Sequence, residues 1–296
     1  MTTLGNTILV TEHAGAAGSS GSTGSPGSTG APPGRLLIIG GGEDRCCGTG
    51  VLDRFVELCG GTEARITLVT TAAGVPDEVH AEYEQVFRKL GVGQIQELRL
   101  RGRADADSAP AGAILRGSTG VFITGGDQSR ILALVGSRAN EVLREQLGRG
   151  LIVAGTSAGA TALGRTMILG GEGPDVSAAT VRTGPGLGLL PRLLIDMHFA
   201  ERGRLPRLLS AVALDPEHLG VGIDENTAIL VEGDRFEVLG TGVATVADAE
   251  RSTVVHAAGD CDPITLFDVR LHLMPAGCVF DLTRRTPAIG PAHTRY

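Results

Sequence analysis

The stretch LIVAGTSAGATALG, residues 151–164, combines a short apolar run, a tight turn and the beginning of a helix. Its first half, LIVAG, is typical of a fully buried strand, and the small residues after Ser157 can open a helix. Residues 155–159 match the pattern G-x-S-x-G, in which the glycines permit a strained strand-to-helix turn that exposes the serine hydroxyl. We therefore predict that Ser157 is a nucleophile; the alternative is a serine that only caps the helix.

The same order of strand and helix recurs before this stretch, which predicts an α/β fold with a mostly parallel sheet and helices on both faces. The strand-like runs are LLII (36–39), RITLVTTAA (65–73) and VFITGG (121–126), and the helical stretches are residues 77–91 and 131–148. Beyond Gly222 the pattern changes to short strands joined by tight turns, as in AILVEG, RFEVLG and TVVHAAG. This β-rich C-terminal part is expected to extend the same sheet.

The N-terminal segment differs from the rest of the chain in composition. Residues 15–34 consist only of Gly, Ser, Thr, Ala and Pro, so they carry no charge and little that could be buried to offset the entropy of ordering them. We predict a disordered tail over residues 1–34 and a single catalytic α/β domain over residues 35–296.

The overall charge and the cysteines exclude some classes of protein. The formal charge of −7 at pH 7 argues against a protein built to coat nucleic acid or an anionic membrane. The start of the chain lacks a cationic region, and no later segment has the roughly 20 uncharged apolar residues that span a bilayer. We therefore expect a cytoplasmic protein without nucleic-acid or membrane partners. The five cysteines are too scattered for a zinc or disulfide framework, so we expect reduced thiols.

A nucleophile of this kind needs hydrogen-bond donors that stabilise the negative charge developing on the substrate. The backbone N–H of Ala158 lies at the start of the predicted helix, where free N–H groups and the helix dipole favour an anion. A second donor could come from Gly126, because glycine lets the backbone approach a ligand closely. The alternative for Gly126 is an ordinary glycine-rich turn.

Of the seven histidines, His198 has the most favourable position for a general base. It follows the apolar run 193–195, so it is expected at a strand end, the edge where α/β sheets assemble ligand sites. It could instead be a core histidine. The other histidines lie in the predicted tail, near the C-terminus, on a helix, in a polar turn or in the β-rich part: His13, His293, His80, His218, His256 and His272. The carboxylate that orients the base could be Asp196, Asp224, Glu225 or Glu172, and spacing alone does not choose among them.

Three arginines crowd into a short stretch next to His198: Arg202, Arg204 and Arg207. Such a run is often a solvated face. It could also be an anion-binding wall, because guanidinium groups match carboxylates in bidentate fashion.

Six motifs occur in the order GGGEDR, TTAAGVPDE, VFITGGDQ, GTSAGA, DMHFAERGRLPRL and VGIDENTAILVEG, between Arg35 and about Asp248. In this respect the chain resembles the cyanophycinases, of the serine peptidase group that also contains aspartyl dipeptidase. The resemblance implies a class I glutamine amidotransferase-like fold, a homodimer, and no metal or cofactor. It also implies hydrolysis of cyanophycin, a polyaspartate whose side chains each carry an arginine, to β-Asp-Arg dipeptides.

By motif, the resemblance makes Ser157 the nucleophile, His198 the base and Glu225 the acid. The residues that it places along the substrate groove are Gln128, Asp196, Arg202, Arg204 and Arg207. The family pattern around the base commonly has the order D-Q-H-F, whereas this chain has Met197 in place of the amide.

Two other functions remain open. A related serine peptidase could share the triad and cleave small aspartyl or isoaspartyl peptides without using the arginines. A non-catalytic binding protein could use the same fold, with its glycine-rich loops holding an anion.

Overall fold

The computed structural model describes residues 10–11, 34–45, 50–255 and 259–290. The strands are β1 (Val10–Thr11), β2 (Arg35–Ile39), β3 (Arg65–Val69), β4 (Gln94–Leu98), β5 (Gly120–Ile123), β6 (Ile152–Thr156), β7 (Thr166–Gly170), β8 (Arg182–Pro185), β9 (Leu193–Met197), β10 (Leu219–Ile223), β11 (Thr227–Glu232), β12 (Arg235–Gly240), β13 (Val243–Asp248), β14 (Thr253–Val255), β15 (Thr265–Phe267), β16 (Arg270–Pro275), β17 (Cys278–Asp281) and β18 (Thr286–Ile289).

The helices are α1 (Val51–Cys59), α2 (Pro76–Lys89), α3 (Arg103–Ala106), α4 (Ala109–Gly117), α5 (Gln128–Ile131), α6 (Arg138–Leu147), α7 (Ala158–Ala162) and α8 (Leu205–Leu214). Two short 3₁₀ turns lie at Gly61–Glu63 and Ala178–Thr180. Among the helices in the described ranges, none has the length and hydropathy of a bilayer-spanning segment.

The central sheet has nine strands in the order β18-β17-β12-β11-β2-β6-β5-β3-β4. Its half formed by β2, β6, β5, β3 and β4 is parallel, and β11, β12, β17 and β18 continue it in antiparallel fashion. The fold class expected from the sequence is therefore confirmed.

The core lies on both faces of this sheet, as alternate residues of β2 make clear. Leu36 and Ile38 pack in one apolar cluster with α4 and α6, whereas Leu37 and Ile39 pack in another with α1 and α2. Because successive side chains of a strand point to opposite faces, a continuous apolar strand requires helices on both sides. The near-unbroken run LLII is the sequence signature of this arrangement.

A second, four-stranded sheet has the order β16-β13-β10-β9. The expectation that the C-terminal part extends the central sheet is confirmed for β11, β12, β17 and β18, whereas β13 and β16 lie in this second sheet and β14 and β15 in a third. In this second sheet β10 pairs in parallel with β9, β13 pairs with β10, and β16 pairs with β13. The parallel pairing brings the carboxyl ends of β9 and β10 together.

One further expectation is corrected, and another stays a prediction. Val10–Thr11 pairs with β14, and residues 1–9 and 12–33 lie outside the described ranges, so the disordered tail over residues 1–34 stays a prediction. The helix predicted over 131–148 is broken, because Ser137 accepts a hydrogen bond from the N–H of Asn140 and so caps a new helix, α6.

Candidate active site

The ends of three strands converge at one edge of the molecule. Ser157 follows β6, His198 follows β9 and Glu225 lies two residues beyond β10. A backbone hydrogen bond joins the two sheets there, since the N–H of His198 donates to the carbonyl of Gly40 at 2.8 Å. The N–H of Gly40 in turn donates to the carbonyl of Thr227, in β11 of the central sheet, at 2.9 Å. The segment after β2 thus ties the histidine to the strand next to the nucleophile.

Ser157 occupies a strained turn between β6 and α7. Its φ of 49° and ψ of −112° lie where L-residues rarely go, at a cost of order 1–3 kcal/mol. The turn depends on close backbone approach, since a Cβ on Gly155 would lie 2.4 Å from the carbonyl oxygen of Gly159. The strained strand-to-helix turn predicted from the sequence is therefore present, and the role of Ser157 as a nucleophile stays a prediction.

His198 joins the other two members of a triad. Its Nε2 lies 2.9 Å from the Oγ of Ser157, and its Nδ1 lies 2.6 Å from the Oε1 of Glu225. A carboxylate only accepts hydrogen bonds, so the proton resides on Nδ1 and Nε2 can accept the hydroxyl proton of Ser157. His198 also has a positive φ, 49°, so two of the three members sit in strained backbone.

The structure chooses between the two adjacent carboxylates that the sequence left open. Asp224 is buried and accepts hydrogen bonds from the N–H groups of Ala200 and Val243, each at 3.0 Å. It therefore holds the backbone around His198, whereas Glu225 reaches the imidazole. The side chain of Glu225 is 40% exposed, so solvent has access to this end of the triad.

The two predicted oxyanion donors lie next to the nucleophile. Ala158 is the first residue of α7, and Gly126 lines the same cleft as Ser157. Within the described residues, neither backbone N–H donates to another group of the protein. A Cβ on Gly126 would lie 2.1 Å from the carbonyl oxygen of Ala72, and its φ is 138°, so this position requires glycine.

The triad opens into a cleft of about 580 Å³. The residues that line it are Gly126, Gln128, Ser157, Gly170, Gly171, Glu172, Arg182, Met197, His198, Arg202, Arg204 and Arg207. Four of the five residues predicted for the groove are present. The amide of Gln128 donates to the carbonyl of Ile168 at 3.3 Å, and the Sδ of Met197 lies 3.2 Å from a guanidinium nitrogen of Arg204.

Asp196 is the predicted groove residue that the structure does not bring into the cleft. It is fully buried, and both of its oxygens accept hydrogen bonds from Arg207, the Nε bond being 2.8 Å long. Arg207 also donates to the carbonyl of Gly171 at 3.1 Å. This guanidinium is therefore largely used within the protein, and the pair supports the cleft wall.

Arg202 and Arg204 have different surroundings. Arg202 is exposed, and its guanidinium has no partner in the part of the chain that the structure describes. Burial, and then the neighbouring charge of Arg207, lower the pKa of Arg204 to about 10. A partly desolvated cation of this kind favours an anionic ligand.

Sequence reasoning missed Glu43, a buried carboxylate behind the nucleophile. Its Oε2 accepts a hydrogen bond of 2.7 Å from the hydroxyl of Thr156, and its Oε1 accepts one from the hydroxyl of Tyr83. Its side chain is 1% exposed. The signal was the GGGEDR motif, in which an acidic residue follows directly on a buried strand and its glycine turn.

The remaining histidines lie away from the triad. His80 is on α2 beside Glu84, His218 lies beside Asp215, and His272 is in β16. His13, His256 and His293 lie outside the described residues.

Across the described ranges, no three His, Cys, Asp or Glu side chains are grouped as a metal site, and Cys59, Cys261 and Cys278 are free thiols. Cys46 and Cys47 lie outside those ranges. The absence of a metal or cofactor from the reaction stays a prediction.

Comparison with known proteins agrees with this geometry. A sequence model of peptidase family S51 matches residues 36–239. A cyanophycinase of Trichormus variabilis is 37% identical over 262 residues, which cover 86% of this chain and 88% of that protein. A cyanophycinase of Synechococcus elongatus is 39% identical over 257 residues, 84% of this chain and 79% of that protein. Among solved structures, a peptidase from an acI-B1 actinobacterium superposes with a TM-score of 0.57 at 19% identity, over 81% of this chain and 97% of that one.

Proposed function

Because the chain belongs to peptidase family S51, we propose that this serine peptidase hydrolyses cyanophycin to β-Asp-Arg dipeptides. The observation that carries the proposal is the cleft, in which arginines stand beside a Ser-His-Glu triad. The names of the two cyanobacterial relatives agree with it.

The proposed reaction begins with proton transfer from the Oγ of Ser157 to the Nε2 of His198. The oxygen attacks an aspartyl backbone carbonyl, and the N–H groups of Gly126 and Ala158 receive the developing negative charge. The amine leaves with the proton held by His198, so an acyl-enzyme remains. Water then repeats the sequence and releases the acid, while Glu225 stabilises the imidazolium in both halves.

Recognition would use the charge of the cleft. Each arginine branch of the polymer carries a free carboxylate, which arginines of the cleft such as Arg202 can bind. Guanidinium–carboxylate hydrogen bonds are charge-assisted and geometrically specific. This makes the branch, and not only the aspartyl backbone, part of what the enzyme selects.

A second candidate substrate is a small aspartyl or isoaspartyl peptide. Two observations favour it: Met197 brings a thioether where an amide is common, and Arg207 is engaged by Asp196. Both reduce the number of polar groups that can hold a long polymer.

The proposal also includes a homodimer in the cytosol, for which light scattering of the purified protein would give the mass of two chains.

The test is incubation with insoluble cyanophycin. The wild-type protein is expected to clear the suspension and release β-Asp-Arg, and Ser157→Ala is expected to lower the rate by about 10⁴-fold or more, since a triad without its nucleophile retains little catalysis. A circular dichroism melt would show that the variant is folded. Isoaspartyl dipeptides should be assayed in parallel: turnover of dipeptides with none of the polymer would reject cyanophycin and support the second candidate. Undiminished activity of Ser157→Ala would refute the mechanism itself.

A further inference from the structure

The mechanism leaves one wall of the cleft without a role, the loop that follows β7. Glu172 belongs to this loop and lines the cleft together with Gly170 and Gly171. Among the lining residues four are arginines, and Glu172 is the only one with a carboxylate. A single acid in a cationic cleft on a protein of net negative charge calls for a physical explanation.

Glu172 does not neutralise its cationic neighbours by direct contact. It is exposed, and within the described residues its carboxylate makes neither a hydrogen bond nor an ion pair. It lies near enough to Arg204 to act on its charge. Arg182 is also without a partner among those residues, and its Nη2 lies across the backbone of Gly170, where a Cβ would be only 2.9 Å away. The cleft therefore presents a carboxylate and a guanidinium group that are both available to a ligand.

The backbone that carries Glu172 is held in place. The carbonyl of Gly171 accepts the 3.1 Å hydrogen bond from Arg207, whose guanidinium is fixed by the buried Asp196. On the other side, Gly171 approaches Thr180 so closely that a Cβ would lie 2.2 Å from the carbonyl oxygen of Thr180, and its φ is 114°. The loop is thus anchored to β9, the strand that His198 follows, and Glu172 is positioned before a ligand arrives.

The chemistry of an arginine branch has two charged ends. Its carboxylate suits the arginines of the cleft, but its guanidinium would be repelled by them. A cleft lined by cations alone would favour an acidic branch over an arginine branch, because like charges brought together raise the free energy of the complex. The guanidinium needs a carboxylate that is not already used by the protein.

We propose that Glu172 receives the guanidinium of the substrate's arginine branch, while Arg182 and Arg202 receive its carboxylate. This assignment rests on the proposed function, since it names what the same cleft selects. It makes Glu172 a specificity-determining residue that is separate from the triad. The buried pair of Asp196 and Arg207 then serves to present the Glu172 loop.

The experiment compares two synthetic peptides with a polyaspartate backbone, one with arginine and one with citrulline joined to the side-chain carboxyls. Citrulline has nearly the shape of arginine without its charge, so the pair isolates the guanidinium. The wild-type protein is expected to have a kcat/KM about tenfold higher for the arginine peptide, since a hydrogen bond between charged groups adds about that factor. Glu172→Gln should bring this ratio close to one, mainly through KM.

Asp175→Asn is the matched control, because Asp175 is an exposed carboxylate three residues away that does not line the cleft. It should keep the wild-type ratio. A fluorophosphonate probe, from which Ser157 displaces fluoride to form a phosphonate ester, should react equally with wild type, Glu172→Gln and Asp175→Asn, which shows that the triad is intact. An unchanged ratio in Glu172→Gln would overturn the assignment while leaving the peptidase proposal standing.

The same comparison can be made without turnover. Calorimetric binding of both peptides to Ser157→Ala, with and without Glu172→Gln, reports the preference even if the wild-type protein cleaves neither peptide. In that case the proposed function fails, and a binding preference for arginine that depends on Glu172 still supports the assignment. Equal binding, or no binding of either peptide to Ser157→Ala, would refute it.

Discussion

Replacing Gly41 with alanine is expected to disable the triad while leaving the protein folded. Gly41 follows β2 and has a φ of 99°. A Cβ built on it would lie 2.3 Å from the Cε1 and 2.6 Å from the Nε2 of His198. Ordinary van der Waals contact begins at about 3.4 Å, so the imidazole has to move by about 1 Å to admit a methyl group.

That movement acts on both hydrogen bonds of the imidazole. They are 2.9 Å to Ser157 and 2.6 Å to Glu225, and a shift of about 1 Å takes at least one of them out of hydrogen-bonding range. Misplacement of a catalytic group by about 1 Å costs about 10²-fold in rate. The expected result is therefore a kcat about 100-fold below wild type, with a smaller change in KM.

The assay is turnover of the cleaved substrate, together with the rate at which a fluorophosphonate probe phosphonylates Ser157. The second readout does not depend on which peptide is the substrate. Gly136→Ala is the matched control: its φ is 64°, but a Cβ there would have open space around it. Each variant should lose about 1–2 kcal/mol of stability, since a left-handed backbone disfavours alanine, yet only Gly41→Ala should lose the reaction with the probe. Phosphonylation of Gly41→Ala at the wild-type rate would refute the claim that the glycine makes room for the base.

Three other outcomes are expected. Glu225→Gln should lower kcat by up to about 10⁴-fold with little loss of stability. Asp224→Asn should lower the melting temperature more, because the carboxylate of Asp224 accepts hydrogen bonds from two backbone N–H groups. The opposite result would exchange the roles of the two residues. Asp196→Asn should lower the free energy of unfolding by about 3–5 kcal/mol in denaturant titrations, because it leaves Arg207 buried without its counter-charge. A loss below about 1 kcal/mol would contradict this account of the pair. Dialysis against a chelator should leave the turnover rate unchanged, since the proposed steps use only side chains and backbone N–H groups; activity that is lost on dialysis and restored by a divalent cation would contradict the prediction that no metal is used.

The elements that could be predicted from the sequence share a local cause. The turn around Ser157 is specified by neighbouring glycines and by the apolar run before them, and these act within a few residues. The position of His198 at a strand end follows in the same way from the run at 193–195. Strand ends are where α/β folds assemble ligand sites, so local patterns were enough to make both residues candidates. Their two strands lie in different sheets, and the backbone hydrogen bond from His198 to Gly40 brings the strand ends together.

Contacts between distant segments decided the rest. Asp224 and Glu225 are adjacent and both acidic, so no local signal separates them; the pairing of β10 with β9 and β13 turns one toward backbone N–H groups and the other toward His198. Likewise, the sequence around Asp196 does not show that its carboxylate is hydrogen-bonded to Arg207. The sequence alone determined the chemistry that the chain can perform and the strand ends that carry it. Which side chains face the cleft was decided by tertiary structure, since the direction of a side chain depends on what packs against its strand.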